Sequence, residues 1–220
     1  MVSNISRPRQ NRVTPFGEII ATPARGTLMG NRGCLHDEQG HIKRLYQTKR
    51  WIICQLQFKN RRRAIMTPGK YTELFFLDEA AALAAGHRPC AECSRPKFNQ
   101  FVIAWTQANP EWINAPRFSV DKLDAVLHSE RLINRQKVTY PELLANLPIG
   151  TFITFADKQS VYLVLAQVLV AWHPEGYQNK IPRPDSEIVQ VLTPRSTVKA
   201  LAAGYPVDIH RSAFKVIEPR

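Results

Sequence analysis

Long hydrophobic runs are missing from this chain. The longest, Tyr162 to Trp172, is broken by Gln167 and falls well short of the roughly 20 apolar residues a membrane-spanning helix needs, so it reads as strand or core. No apolar stretch of about 7–15 residues follows Arg7, Arg9 and Arg12, so the basic start does not read as a secretory signal. Glycine is scarce, 10 residues against 16 prolines, and no Gly-x-Gly-x-x-Gly, phosphate-loop or nucleophile-elbow motif occurs. Nucleotide-dependent and hydrolase-fold chemistry therefore lacks its usual signatures. Cysteine is sparse too: four residues in 220 do not make the disulfide framework of a small secreted scaffold. Internal repeats and low-complexity tracts are also missing. The expectation is a cytoplasmic protein with no membrane partner.

A hydrophobic content of 44% with 22% charged residues allows an ordinary buried core, in one large domain or two small ones. Acidic residues are unevenly scarce. Residues 1–70 hold 14 Lys and Arg but only Glu18, Asp37 and Glu38 as acids, a local charge of +11, whereas the rest of the chain nets +1 of the total +12. Such segregation suits a polyanion, because phosphate neutralisation with counterion release dominates nucleic-acid affinity. The densest basic stretch is Arg50, Lys59, Arg61, Arg62 and Arg63, which predicts the phosphate-contacting surface. A solvated turn is the plainer alternative for the three consecutive arginines.

Local patterns give a coarse map. Residues 1–30, rich in Arg, Pro and Asn, read as a basic arm. Trp51 to Phe58 alternates like a strand, with Cys54, Leu56 and Phe58 on one face; Ala64 to Met66 returns beside it after a basic turn, which predicts a hairpin. After the apolar run Tyr71 to Leu77, Asp78 is placed to cap a helix from Glu79 to Ala85 that stops at Gly86. Pro96 opens a second helix whose Phe98, Phe101, Val102 and Trp105 recur at helical spacing. Asp121 to Asn134 reads as a third. Tyr140 to Leu144 reads as a helical turn before a module boundary near Leu147 to Gly150. Thr151 to Phe155, Val161 to Val170 and Ile188 to Leu192 read as strands, and Thr197 to Ala202 as a helix.

Cys90-Ala91-Glu92-Cys93 is a knuckle that aims two thiolates at one ion. Redox dithiols share the spacing, but they open a helix directly after a strand, whereas this pair follows a helix, Gly86 and Pro89. Cys54 offers a third zinc ligand. The fourth is either Cys34 or His36, two apart and so on the same side of an extended segment, with His36 preferred because it leaves Cys34 as a small buried hydrophobe. Other pairs carry less. His128 with Glu130, and His173 with Glu175, offer acid–base chemistry, yet near neighbours on a helix face different ways. Trp172, Tyr177 and Tyr205 read as core rather than as a base-stacking platform.

The run Leu74-Phe75-Phe76-Leu77-Asp78-Glu79-Ala80-Ala81-Ala82-Leu83-Ala84-Ala85-Gly86-His87-Arg88-Pro89-Cys90-Ala91-Glu92-Cys93-Ser94-Arg95-Pro96 resembles the second half of the zinc module of Ada-type DNA alkylation-repair proteins. That resemblance implies a four-ligand zinc, contact of neighbouring basic groups with the DNA backbone and, in the family, a metal-bound cysteine that accepts a methyl group from a phosphotriester. The family places its other two ligands as Cys-x-x-x-Cys shortly before the aromatic strand. Here Cys54 stands alone, so the resemblance implies the zinc without the acceptor activity. The chain is also similar to a bacterial family, without an established activity, that carries Gly-Asn-Arg-Gly early and Leu-Thr-Pro-x-Ser-Thr-Val late, as at Gly30 to Gly33 and Leu192 to Val198.

The expected fold is α+β: a basic arm over 1–30, an Ada-like zinc-knuckle module with a basic β-hairpin and short helices over 31–110, a helical linker over 111–148 and a small β-rich α+β module over 149–220. The expected function is that of a zinc-binding protein that binds DNA or RNA non-catalytically through its basic amino-terminal module, DNA ahead of RNA. The alternatives are a nucleic-acid-acting zinc enzyme, either methyl acceptor or metal-dependent nuclease, and a structural zinc protein that meets another protein.

Overall fold

In the computed structural model, which describes residues 7–61, 64–113, 118–155 and 160–218, two six-stranded sheets are joined by one short helix. The first sheet holds β1 (Gln10–Val13), β2 (Ile19–Ala21), β3 (Leu28–Asn31), β4 (Ile52–Cys54), β5 (Leu74–Phe76) and β6 (Arg88–Pro89), in the order β2-β1-β5-β3-β4-β6. β1 runs parallel to β5 and β4 parallel to β6; the other pairs are antiparallel. Register fixes the faces. Met29 lies opposite Cys54 and Phe75, and Asn31 opposite Ile52, so these residues share one face; Gly30, Ile53 and Leu74 share the other.

The second of those faces is the buried one. It packs on α2 (Arg95–Ala108) and α3 (Val120–Arg131) through Phe101, Trp105, Leu123 and Leu127. A small hairpin of β7 (Leu132–Ile133) and β8 (Gln136–Lys137) continues from α3. The second sheet is wholly antiparallel, β13-β12-β11-β10-β14-β9, built from β9 (Tyr140–Leu143), β10 (Phe152–Thr154), β11 (Val161–Val164), β12 (Val168–Ala171), β13 (Gln178–Pro182) and β14 (Ile188–Val191). One of its faces buries Ile153, Val164, Leu169, Val189 and Val191 together. Arg183, just past β13, donates to the carbonyls of Leu144 (2.8 Å) and Leu147 (2.8 Å) beyond β9, which draws the two sheet edges toward each other.

The joining helix is α1 (Glu79–Ala84), and its alanines explain its position. Small side chains let both sheets approach it: Ala82 and Leu83 join the first core, while Ala80, Ala81 and Ala84 join the second with Phe152, Leu163 and Tyr177. Asp78 caps it as the sequence predicts, its Oδ1 accepting from the Ala81 N–H at 2.8 Å, and its Oδ2 accepts from Tyr177 Oη and the His210 N–H. Glu79 likewise accepts from the Asp208 N–H and from Tyr205 Oη. α4 (Arg195–Ala202) places Ala200 and Leu201 in the first core, and α5 (Ser212–Ile217) places Ala213 in the second.

The α+β class holds, with differences in detail. The segment 1–30, expected as an arm, supplies β1, β2 and most of β3 of the first sheet, and Val13 is fully buried. Among the described residues the basic hairpin is not formed: β4 pairs with β3 and β6, and residues 65–66 turn instead of pairing. Tyr140 to Leu143 is a strand, because pairing with β14 along four residues overrides its local turn-like composition.

One buried group makes stability pH-dependent. His87 is fully buried between the rings of Trp51 and Phe76, and its Nε2 accepts from Arg32 Nε at 3.2 Å. Burial, with Arg32 and Arg131 close by, pushes its pKa far below the ordinary 6.5. The unfolded chain therefore takes up a proton below about pH 6.5 that the folded chain refuses, and stability falls as pH drops. The His87 contribution to the slope is about 1.4 kcal/mol per pH unit, opposed below about pH 6 by Asp78, whose carboxyl is pushed up to about 6 by burial. Urea unfolding midpoints at pH 7 and pH 5 measure it; His87→Phe is expected to flatten the difference, and an equal difference in that variant assigns the effect elsewhere.

Candidate metal centre

Parallel pairing of β4 with β6 builds the site. The Arg88 N–H donates to Trp51 O at 3.1 Å and the Cys90 N–H to Ile53 O at 2.9 Å, which sets Cys90 beside Cys54 at the strand ends. The chain then turns: the Ser94 N–H donates to Cys90 O at 3.2 Å and the Glu92 N–H to Cys90 Sγ at 3.4 Å, bringing Cys93 back toward Cys90 before α2 begins. The sulfurs of Cys54, Cys90 and Cys93 all lie within 4.8 Å of one another, and the three could hold a metal ion. Tetrahedral coordination with Zn–S bonds of about 2.3 Å needs sulfurs roughly 3.8 Å apart, so the set fits. The thiols are unequal. Hydrogen bonds from Cys54 and Cys93, and then the Cys93 and Glu92 backbone N–H groups, pull the Cys90 thiol down, while contact with Cys90 and Cys93, and then burial, push Cys54 up.

Behind the centre, Arg88 grips Asp124 of α3 with Nε at 2.9 Å and Nη2 at 2.7 Å, both side chains buried. That two-point contact holds the strand leading to Cys90 against the helical layer.

The expected fourth ligands stand elsewhere. His36 Nε2 lies 3.2 Å from the Thr67 carbonyl, which only accepts, so Nε2 carries the hydrogen and Nδ1 accepts from Thr72 Oγ1 at 2.6 Å. Both ring nitrogens are thus engaged and the ring is buried. Cys34 is half-buried, with its Sγ 3.7 Å from His36 O. Neither belongs to the close group of sulfurs, so the structure brings together three of the residues expected as ligands and not the fourth; Thr72, two residues before β5, hydrogen-bonds the histidine instead.

The three cysteines border a cavity of about 350 Å³ on the exposed face of the first sheet, lined also by Asn31, Arg61, Tyr71, Glu73, Phe58 and Phe75. Asn31, Tyr71, Glu73 and Glu92 were not singled out as site residues from the sequence. The place of Asn31 on this face follows only from the register of β3, and Glu73, which accepts from the Met66 N–H at 2.7 Å, has no motif around it. Of the basic residues, Arg61 reaches Glu92 of the knuckle at 2.9 Å across the mouth of this cavity. Arg61 and Lys59 both flank Phe58. Arg50 instead pairs with Asp121 at 3.5 Å at the start of α3. Arg62 and Arg63 lie outside the described residues. The His128–Glu130 acid–base pair dissolves as well: Glu130 accepts from Ser196 N and Oγ at the start of α4, and His128 meets Arg131 and the Tyr46 ring. Compared with protein-family models, with curated proteins and with solved structures, the chain finds no match.

Proposed function

We propose that this is a zinc protein that binds nucleic acid, DNA ahead of RNA, at the basic rim of its thiolate centre. The observation carrying the reading is the convergence of Cys54, Cys90 and Cys93 on the wall of a cavity whose mouth holds Arg61. Three soft sulfur donors at this spacing favour zinc over magnesium or calcium, which take oxygen. The Ada-type likeness of segment 71–96 supports the same metal and the same partner, and reduced cysteines suit a cytoplasmic setting. The metal's role in this reading is to lock β4, β6 and the head of α2 into a rigid platform beside Lys59 and Arg61.

A second reading rests on one feature of the site. Structural zinc sites are closed by four protein ligands, whereas this one offers three sulfurs beside a cavity that also holds Glu73 and Asn31. That arrangement favours an enzyme acting on nucleic acid, and strand cleavage or covalent methylation of the protein separates it from a binder.

Fluorescence anisotropy with unrelated DNA duplexes at several salt concentrations tests the first reading. Affinity is expected to fall linearly in log–log form with salt. Replacing Arg61, Arg62 and Arg63 by alanine is expected to weaken all duplexes alike and to flatten the slope by up to about three units. Binding unaffected by salt and by the triple replacement, with zinc retained, would point to a protein partner.

A further inference from the structure

On the buried side of the first sheet, away from the thiols, Trp51 lies between two guanidinium groups. Arg32 Cζ is 3.8 Å and Arg131 Cζ 3.9 Å from its ring. Both arginines are buried, at 1% and 0% exposure. Lys137 of β8 joins them, and all three line a cavity of about 270 Å³ with Gly17, Ala85 and Arg135. The one carboxylate among the lining residues is Glu18, which is exposed.

Neutral groups supply the hydrogen bonds these cations make. Arg32 donates to Gly17 O at 2.9 Å and His87 Nε2 at 3.2 Å; Arg131 donates to Gly86 O at 2.7 Å, to Lys49 O and to His128 Nδ1; Lys137 donates to Ala84 O at 2.6 Å. Asp124, on the same helix as Arg131 and close enough to act on it electrostatically, is already gripped by Arg88. Arg32 Nη2 and Arg131 Nε have no partner among the described residues. Closing off the carbonyl end of α1 accounts for Lys137 and one group of Arg131, because those carbonyls carry partial negative charge. It does not account for Arg32. Guanidinium groups stay charged, so repulsion falls on the group able to yield: burial, Arg32 and Arg131 push Lys137 down to about 7.

We infer that this cavity is a binding site for a phosphate group, free or at the end of a larger ligand. Buried charge without a counter-charge is costly, and a dianion offsets it at three points at once. The tetrahedral oxyanion matches the forked donors of arginine better than a carboxylate or halide does. A cavity of about 270 Å³ sits just below the range typical of drug-sized ligands, which suits a small anion. This cavity shares no lining residue with the one beside the thiols, so its fate is independent of the zinc reading.

Calorimetric titration with sodium phosphate at fixed ionic strength tests the inference. Saturable binding of one phosphate per chain is expected, with sodium chloride giving none. Lys137→Gln keeps a donor for Ala84 O and removes the charge; it is expected to weaken phosphate at least about tenfold, the scale of a lost charge-assisted hydrogen bond. The Arg61, Arg62 and Arg63 alanine variant is expected to bind phosphate unchanged. Competition by a 5′-phosphorylated oligonucleotide alone identifies the phosphate as a nucleic-acid end, and competition by neither oligonucleotide identifies it as free. Absence of saturable binding to the parent protein, equal binding by Lys137→Gln, or displacement by an unphosphorylated oligonucleotide overturns the assignment.

Discussion

Purified protein is expected to carry about one zinc per chain, and Cys90→Ser is expected to lose it and to destabilise the first sheet. Cys90 is held from both sides, by Ile53 O behind it and by the turn into α2 ahead of it, so a metal bound there would clamp β4, β6 and the helix start at one point. Structural zinc in small modules contributes on the order of 10–16 kcal/mol of apparent binding free energy at pH 7, and that energy is folding energy wherever the site is assembled by the fold. A larger core tempers the loss here, because Leu74, Phe76, Phe101 and Trp105 remain buried without the ion. The expected result is a fall in thermal midpoint far larger than any surface substitution gives, with chelator reproducing it in the parent protein. Cys34→Ala and His36→Ala are expected to retain zinc, because neither belongs to the sulfur group. Elemental analysis decides: a fully folded, metal-free parent protein removes zinc from the account, and zinc lost on either replacement restores that residue as a ligand.

The parts of this molecule legible in its sequence are those whose signals are local. Asp78 as a cap, Gly86 as a stop, Pro96 in a first helical turn and the Phe98, Phe101, Trp105 stripe each depend on neighbours within a few residues, and each stands in the structure. Gly86 is needed there twice over: its φ is +88°, and a Cβ would sit 2.6 Å from Arg131 Cδ. Three sulfurs of the centre were legible because the knuckle is a fixed-spacing motif and Cys54 lies on a strand. What failed was long-range. The fourth-ligand choice turned on whether Thr72 would reach His36, 36 residues away, and the arm became sheet because β1 found β5 across 60 residues of chain. Short strands of two to four residues, such as β6 and β1, carry too little periodicity to announce themselves. The cationic cavity was hidden for the same reason: Arg32, Trp51, Arg131 and Lys137 come from separate segments and form no motif.

Asp124→Ala is expected to cost about 3–5 kcal/mol, because it strands Arg88 as a buried charge, its side chain only 3% exposed, without its two-point partner. The pair itself is a poor source of net stability, since both ions lose their hydration to form it. The double replacement Arg88→Met with Asp124→Leu is therefore expected to recover most of the loss by filling the same space with apolar surface. Chemical denaturation of the two single variants and the double variant gives the coupling directly. The centre adds a second readout, because Arg88 precedes Cys90 by two residues and its strand sets where that sulfur points. If the pair's role is to hold β6 in place, the double variant regains stability but binds zinc more weakly than the parent protein. Parent-like zinc affinity in a fully stable double variant would mean that pairing with β4 alone positions the knuckle.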